Sequence, residues 1–170
     1  MKGMATHAIE VIKMQVAQGL INRIMVVRLQ RGDEIMGSLR EVCRKYDIKN
    51  GVIMSVIGSL TGAKYYDPVI NPNVKPGISY ADPLTLESPV EVLSAHGEIC
   101  HREDGEVYIH VHATFADSQG NAYGGHLADD GNPACTTINI FIGIIDGVDM
   151  VLQWEDIMGS LMFFPKEIKG

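Results

Sequence analysis

Apolar and polar residues alternate along two neighbouring stretches, residues 90–100 (VEVLSAHGEIC) and 107–115 (VYIHVHATF). Period two is the pattern of a strand with one buried face. Between them stands Arg102-Glu103-Asp104-Gly105, a set of turn formers, so the pair reads as a hairpin. The first strand puts Leu93, Ala95, Gly97 and Ile99 on its apolar side; the second puts Val107, Ile109, Val111, Ala113 and Phe115 there. Both sets must share a face, because a one-residue slip would expose one of them. That condition pairs Ile99 with Ile109, Glu98 with His110 and His96 with His112. The matching connection is Glu103-Asp104-Gly105, with Gly105 at the position that needs positive φ.

The same reasoning extends outward along the chain. Residues 23–29 (RIMVVRL) are rich in β-branched types and read as a strand. Asp33 is a plausible N-cap, and Ile35, Leu39, Val42, Cys43 and Tyr46 recur at helical spacing, which predicts a helix over about 34–46. Asn50-Gly51 closes the connection, with Gly51 suited to positive φ. Residues 52–57 (VIMSVI) form a buried strand, and a further strand runs through Tyr66. Between residues 67 and 89 stand Pro68, Pro72, Pro76, Pro83 and Pro89, a density that rules out a central strand and leaves a long ordered loop, a lid or an interface arm. After the turn at 117–121, residues 122–127 lead into a polar loop through Pro133. Residues 136–145 (TTINIFIGII) are the most apolar strand, and Asp146-Gly147 turns it into 150–154 (MVLQW). The apolar stretch 158–165 packs on the core or on a neighbouring subunit, and residues 1–22 make a terminal arm or an extra strand. The expected architecture is one α+β domain over 23–165, with a mixed, largely antiparallel sheet and one main helix.

Composition narrows the class of function. The chain has 170 residues and a formal charge of -7, which argues against duplex DNA, because each phosphate contact needs a Lys or Arg to release counterions. Arg40, Arg44 and Lys45 form the longest basic cluster, but they share a predicted helix with Glu34 and Glu41 and read as a solvated face. No stretch approaches the ~18 apolar residues of a membrane span, and the first residues lack the apolar run of a secretory signal. Cys43, Cys100 and Cys135 are far apart and odd in number, so free buried thiols in a reducing, cytoplasmic setting are expected.

The chemistry is concentrated on the polar side of the hairpin. His96, Glu98, His110 and His112 share one sheet face, and two His one residue apart on a strand point the same way. His126 follows Gly124-Gly125, where the small residues permit close backbone approach. Three imidazoles with an open position suit a divalent ion such as zinc. Glu98 is then a ligand, an orienter of a ligand ring or a proton acceptor, and His96 a further candidate. The same histidines also fit a plain solvated strand face. His7 and His101 lack such company and read as surface residues.

Five segments carry a resemblance: Arg28-Leu29-Gln30-Arg31-Gly32-Asp33-Glu34, Val56-Ile57-Gly58-Ser59-Leu60, Val90-Glu91-Val92-Leu93-Ser94, His110-Val111-His112 and Gly124-Gly125-His126-Leu127. In this order and spacing they resemble the plants-and-prokaryotes-conserved (PPC) domain, over roughly residues 23–155. The resemblance implies a homotrimer whose fold is similar to acetolactate decarboxylase, a zinc lyase. It further implies zinc on the positions of His110, His112 and His126. Plant members hold DNA through AT-hook segments, and this chain has no Arg-Gly-Arg-Pro hook. Three functions stay open at this stage: a metal-dependent lyase or hydrolase acting on a small oxygen-rich molecule, a metal-stabilised regulatory module without turnover, and a DNA-binding protein.

Overall fold

The computed structural model describes residues 14–168. Its elements run β1 (Leu20–Gln30), α1 (Ile35–Tyr46), β2 (Gly51–Leu60), β3 (Ala63–Tyr66), β4 (Pro68–Ile70), β5 (Ile78–Tyr80), β6 (Leu84–Leu86), β7 (Val90–Arg102), β8 (Val107–Ala116), β9 (Ala122–Leu127), β10 (Ala134–Asp146), β11 (Val148–Glu155) and β12 (Ser160–Glu167). The main sheet has the order β1-β10-β2-β7-β8-β9-β3-β6, antiparallel throughout. β11 joins β7 in parallel at Val151↔His101 and Leu152↔Arg102 and carries β12 as its hairpin partner. β4 and β5 pair as a separate ribbon.

The core lies on one face of this sheet, against α1. Ile138, Ile140 and Ile142 of β10 are wholly buried there, and α1 adds Ile35, Met36, Leu39 and Cys43. Each such side chain contributes about 1.5–3 kcal/mol on leaving water, so the alternation of β10 anchors the middle of the sheet. On the opposite face the β11–β12 hairpin folds over one end and buries Cys100, Val148, Met150 and Leu152 with Tyr108 and Phe163. The rest of that outer face is bare: Ile24, Val26, Met54, Ile57 and Leu93 are each about half exposed.

Several expectations take a different form. The first strand starts at Leu20 rather than residue 23; within the predicted arm of residues 1–22, those up to 13, with His7, lie outside the described residues. Glu34, not Asp33, stands at the N-cap of α1; the Asp33 carboxylate instead accepts the Gln30 N–H at 2.8 Å and closes the preceding turn. Helix α1 ends on Asp47 in the left-handed region (φ 50), a conformation that Asp tolerates, so Gly51 needs no positive φ and simply opens β2. The proline-rich segment 67–89 carries three short strands, β4 to β6, and none is central. Residues 122–127 form a strand, β9, rather than a lead-in to a loop. The stretch 158–165 packs within the chain as most of β12.

Candidate metal centre

The hairpin register matches the one demanded by its apolar faces: Ile99↔Ile109, Glu98↔His110 and His96↔His112. Gly105 has φ 87, and its N–H donates to the Arg102 carbonyl at 2.9 Å, which closes the short connection. One residue breaks the simple alternation. The pairing shifts between Val92 and Ser94, leaving Leu93 as the extra residue of a bulge. Val92 and Val90 therefore take the core face, and Leu93 turns outward, 56% exposed.

β9 adds the third histidine, because His126 stands directly opposite His112. The approach that Gly124-Gly125 permits is real. A Cβ on Gly124 would meet the Ala113 carbonyl oxygen at 2.5 Å, and one on Gly125 would meet the Tyr66 carbonyl oxygen at 2.6 Å. Only glycine lets β9 sit between β8 and β3 at this distance. The ring centroids are 4.8 Å apart for His110–His112, 4.6 Å for His110–His126 and 5.4 Å for His112–His126.

The outer hydrogen bonds orient the rings. His110 Nδ1 lies 3.2 Å from Glu98 Oε1, so the carboxylate takes the Nδ1–H and leaves the Nε2 lone pair facing the cluster. There Nε2 of His110 and Nε2 of His112 are 2.9 Å apart. Tyr80 Oη lies 3.3 Å from His126 Nδ1; where it accepts the Nδ1–H, the Nε2 lone pair of that ring is left free. The three histidines offer ligand atoms within 4.8 Å of one another. Nitrogens around a tetrahedral ion at roughly 2.0–2.1 Å stand about 3.3 Å apart, so small ring rotations bring this set to the spacing that an ion requires.

The site favours the neutral form of two of its rings, His112 and His126, as metal ligation needs. Burial first, and then the charges of His110 and His112, push His126 from 6.5 down to about 4. Burial, followed by His110 and His96, holds His112 below its ordinary value. Above pH 6.5 His126 is neutral in both folded and unfolded chains and stability is indifferent to it. As pH falls from 6.5 toward 4, the unfolded chain takes a proton that the fold refuses, so stability declines across that window. Thermal melts of metal-free protein and of His126→Asn at pH 7, 5.5 and 4.5 check this. The wild type should lose more Tm than the variant on acidification, and a difference that is constant with pH refutes it.

His96 is exposed opposite His112 and lies outside the triad, its reach limited to the charge it presents to His112. His101 is not a surface residue: its Nε2 pairs with Asp149 Oδ1 at 2.7 Å and its Nδ1 lies 2.9 Å from the Arg102 carbonyl oxygen, tying β7 to β11. Tyr80 escaped the sequence reading, because nothing in a proline-rich segment says which residue folds back onto a histidine. The thiols are free; burial pushes Cys43 up to about 11 and Cys100 up to about 12, which makes them inert, while Cys135 is half-buried. Among the described residues no helix is long and apolar enough to cross a membrane.

Comparison with known proteins gives the family and the fold. Residues 16–146 match the model of the Plants and Prokaryotes Conserved (PCC) domain. The chain is 29% identical over 113 residues to a bifunctional protein GlmU from a Synechococcus strain; the match covers 66% of this chain and only 15% of that protein. Among solved structures, a metal-containing protein of Archaeoglobus fulgidus superposes with a TM-score of 0.74 at 20% identity, over 89% of this chain and 99% of that one. A plant- and prokaryote-conserved protein of Pyrococcus horikoshii gives 0.73 at 21% identity, over 92% and 99%. A protein of Ralstonia eutropha described as a candidate DNA-binding protein gives 0.66 at 21% identity, over 81% and 88%. At these identities the superpositions speak for the fold.

Proposed function

Because this chain belongs to the plants-and-prokaryotes-conserved domain family, we propose that it is a homotrimeric metal protein. His110, His112 and His126 hold one zinc or similar divalent ion and act with Glu98 on a small oxygen-rich molecule. The observation that carries this reading is the convergence of three imidazoles from two strands, with ligand atoms within 4.8 Å of one another and Nδ1 of His110 and of His126 each having its own partner. A divalent ion bound there supplies Lewis-acid polarisation of a ligand oxygen, the chemistry of lyases and hydrolases. Glu98 fixes the tautomer of His110 through Oε1, and its other carboxylate oxygen is the one left to accept a proton. Tyr80 does the same steering for His126 from the 67–89 segment, which thereby covers one side of the site. A duplex-DNA role has weaker support, since the net charge of -7 leaves few cations for phosphates.

Elemental analysis of the purified chain, with metal titration into the stripped protein, tests the reading: one ion per subunit is expected, and none under either condition overturns it. Glu98→Gln is expected to weaken metal affinity about 10- to 100-fold, the usual effect of removing a partner that orients a ligand. Unchanged affinity with loss of turnover would instead assign Glu98 to proton transfer alone.

The bare outer face supports the self-association proposed here. Ile24, Val26, Met54, Ile57 and Leu93 lie beside the histidines on the side left uncovered by β11–β12, an apolar surface of the kind that interfaces bury. Light scattering should give three times 18.6 kDa, and Val26→Asp with Ile57→Asp should give monomer. A wild-type mass of one chain at micromolar concentration contradicts the trimer.

A further inference from the structure

Next to the triad, on the side away from the bare apolar face, lies a cavity of about 450 Å³. His110, His126 and Glu98 line one end, Arg102 contributes to its wall, and Leu161 and Phe163 of β12 close it from above. The placement follows from strand geometry. Glu98, Cys100 and Arg102 alternate onto the outer face of β7; Cys100 is buried under the β11–β12 hairpin, so the ceiling over it is apolar. Arg102 Cα then stands about 13 Å from Glu98 Cα along the strand, and the side chains at both ends narrow that gap to a short carbon chain.

Arg102 lines this cavity while its side chain stays part exposed to solvent. Its Nε pairs with Glu106 at 3.4 Å, but that contact is a half-exposed i,i+4 pair on a loop and weak by nature. Its two terminal nitrogens have no hydrogen-bond partner among the described residues. A guanidinium fork turned to a cavity recognises a planar carboxylate by two parallel hydrogen bonds. The overall charge of -7 would not draw an anion, so any anion here is chosen locally. Glu98 would repel it at the far end, except that its Oε1 is already engaged by His110 and the ion proposed above would add positive charge beside it.

We propose that this cavity binds a small aliphatic dicarboxylate of four to six carbons. One carboxylate lies on the Arg102 fork, the chain runs beneath Leu161 and Phe163, and the second carboxylate reaches the triad. This rests on the metal reading and names the class of molecule that the same site takes.

Isothermal titration of the zinc-loaded chain, its metal content measured beforehand, tests the proposal with succinate, glutarate and adipate, with pentanoate and inorganic phosphate as comparators. At least one dicarboxylate should bind, and Arg102→Gln should weaken it about 10- to 100-fold, as loss of a charge-assisted bond does, with zinc content unchanged. Arg102→Lys, which keeps the charge and loses the fork, should fall between. Pentanoate should bind weakly and equally to wild type and variant. A loaded chain that ignores all three dicarboxylates, binds them equally in Arg102→Gln, or prefers phosphate through Arg102 overturns this proposal alone. A chain that takes up no zinc overturns the metal reading and this one with it.

Discussion

Replacing His110 and His112 together by alanine is expected to abolish metal retention and leave the chain folded. The two residues supply two of the three inward nitrogens, and a single remaining imidazole cannot hold a divalent ion against dialysis. The fold should survive, because the core-facing residues of β8 are Ile109, Val111, Ala113 and Phe115, all buried and all untouched. His112 is exposed and His110 only partly covered, so truncating them opens no core cavity. Elemental analysis after dialysis, together with a thermal melt of the metal-free forms, checks both halves. A stoichiometric ion in the double variant would sink the ligand assignment, and collapse of the metal-free fold would show these histidines to be structural. Any stabilisation by added zinc in the wild type should be missing from the variant, since only the bound state gains it.

The second large effect is expected far from any ligand, at Asn132. Among the described residues it is the one polar side chain fully shielded from solvent, and it ties three segments together. Its Nδ2 donates toward the carbonyl oxygens of Ala128, Asp130 and Lys64 at 3.1–3.2 Å, and its Oδ1 accepts the Lys64 N–H at 3.0 Å. Its own N–H donates to Glu34 Oε2 at 3.0 Å. Asn132→Leu removes the side-chain partners while leaving buried backbone groups unpaired, which costs about 1–3 kcal/mol per group. A loss of roughly 3–5 kcal/mol is therefore expected, read as a Tm lower by roughly 10 °C. The loss should also loosen the end of β9, since Ala128 follows Leu127 and the Lys64 N–H lies on its neighbour β3. Metal affinity should fall with stability. A melt within 2 °C of wild type would refute this account, with the threshold set by ordinary surface substitutions of about 0.5 kcal/mol.

Much of the candidate site was legible because a hairpin has few choices. Two apolar faces, one short connection and a glycine at its turn leave a single register, and that register places Glu98 opposite His110. The main helix and the central apolar strand were legible for the same reason: burial repeats with the period of the element, and period is a property of sequence. Leu93 shows the limit, since a bulge adds a residue without altering the composition of the strand, and the alternation then points the wrong way until Val92↔Phe115 is known. His101 shows another, because its burial is decided by Asp149, 48 residues away on β11.

By itself, then, the sequence determined the strand pairings of the hairpin, the shared face of His96, Glu98, His110 and His112, and the family. These depend on local period and on residues close in the chain. Tertiary structure alone decided that His126 faces His112 across β8–β9 rather than from a loop, that Tyr80 turns back from the proline-rich segment onto His126, and that the β11–β12 hairpin roofs the cavity that Arg102 lines. The physical reason is that such contacts join elements far apart in sequence. Their free energy comes from burial shared between partners, and neither partner carries the other's position in its own pattern of residues.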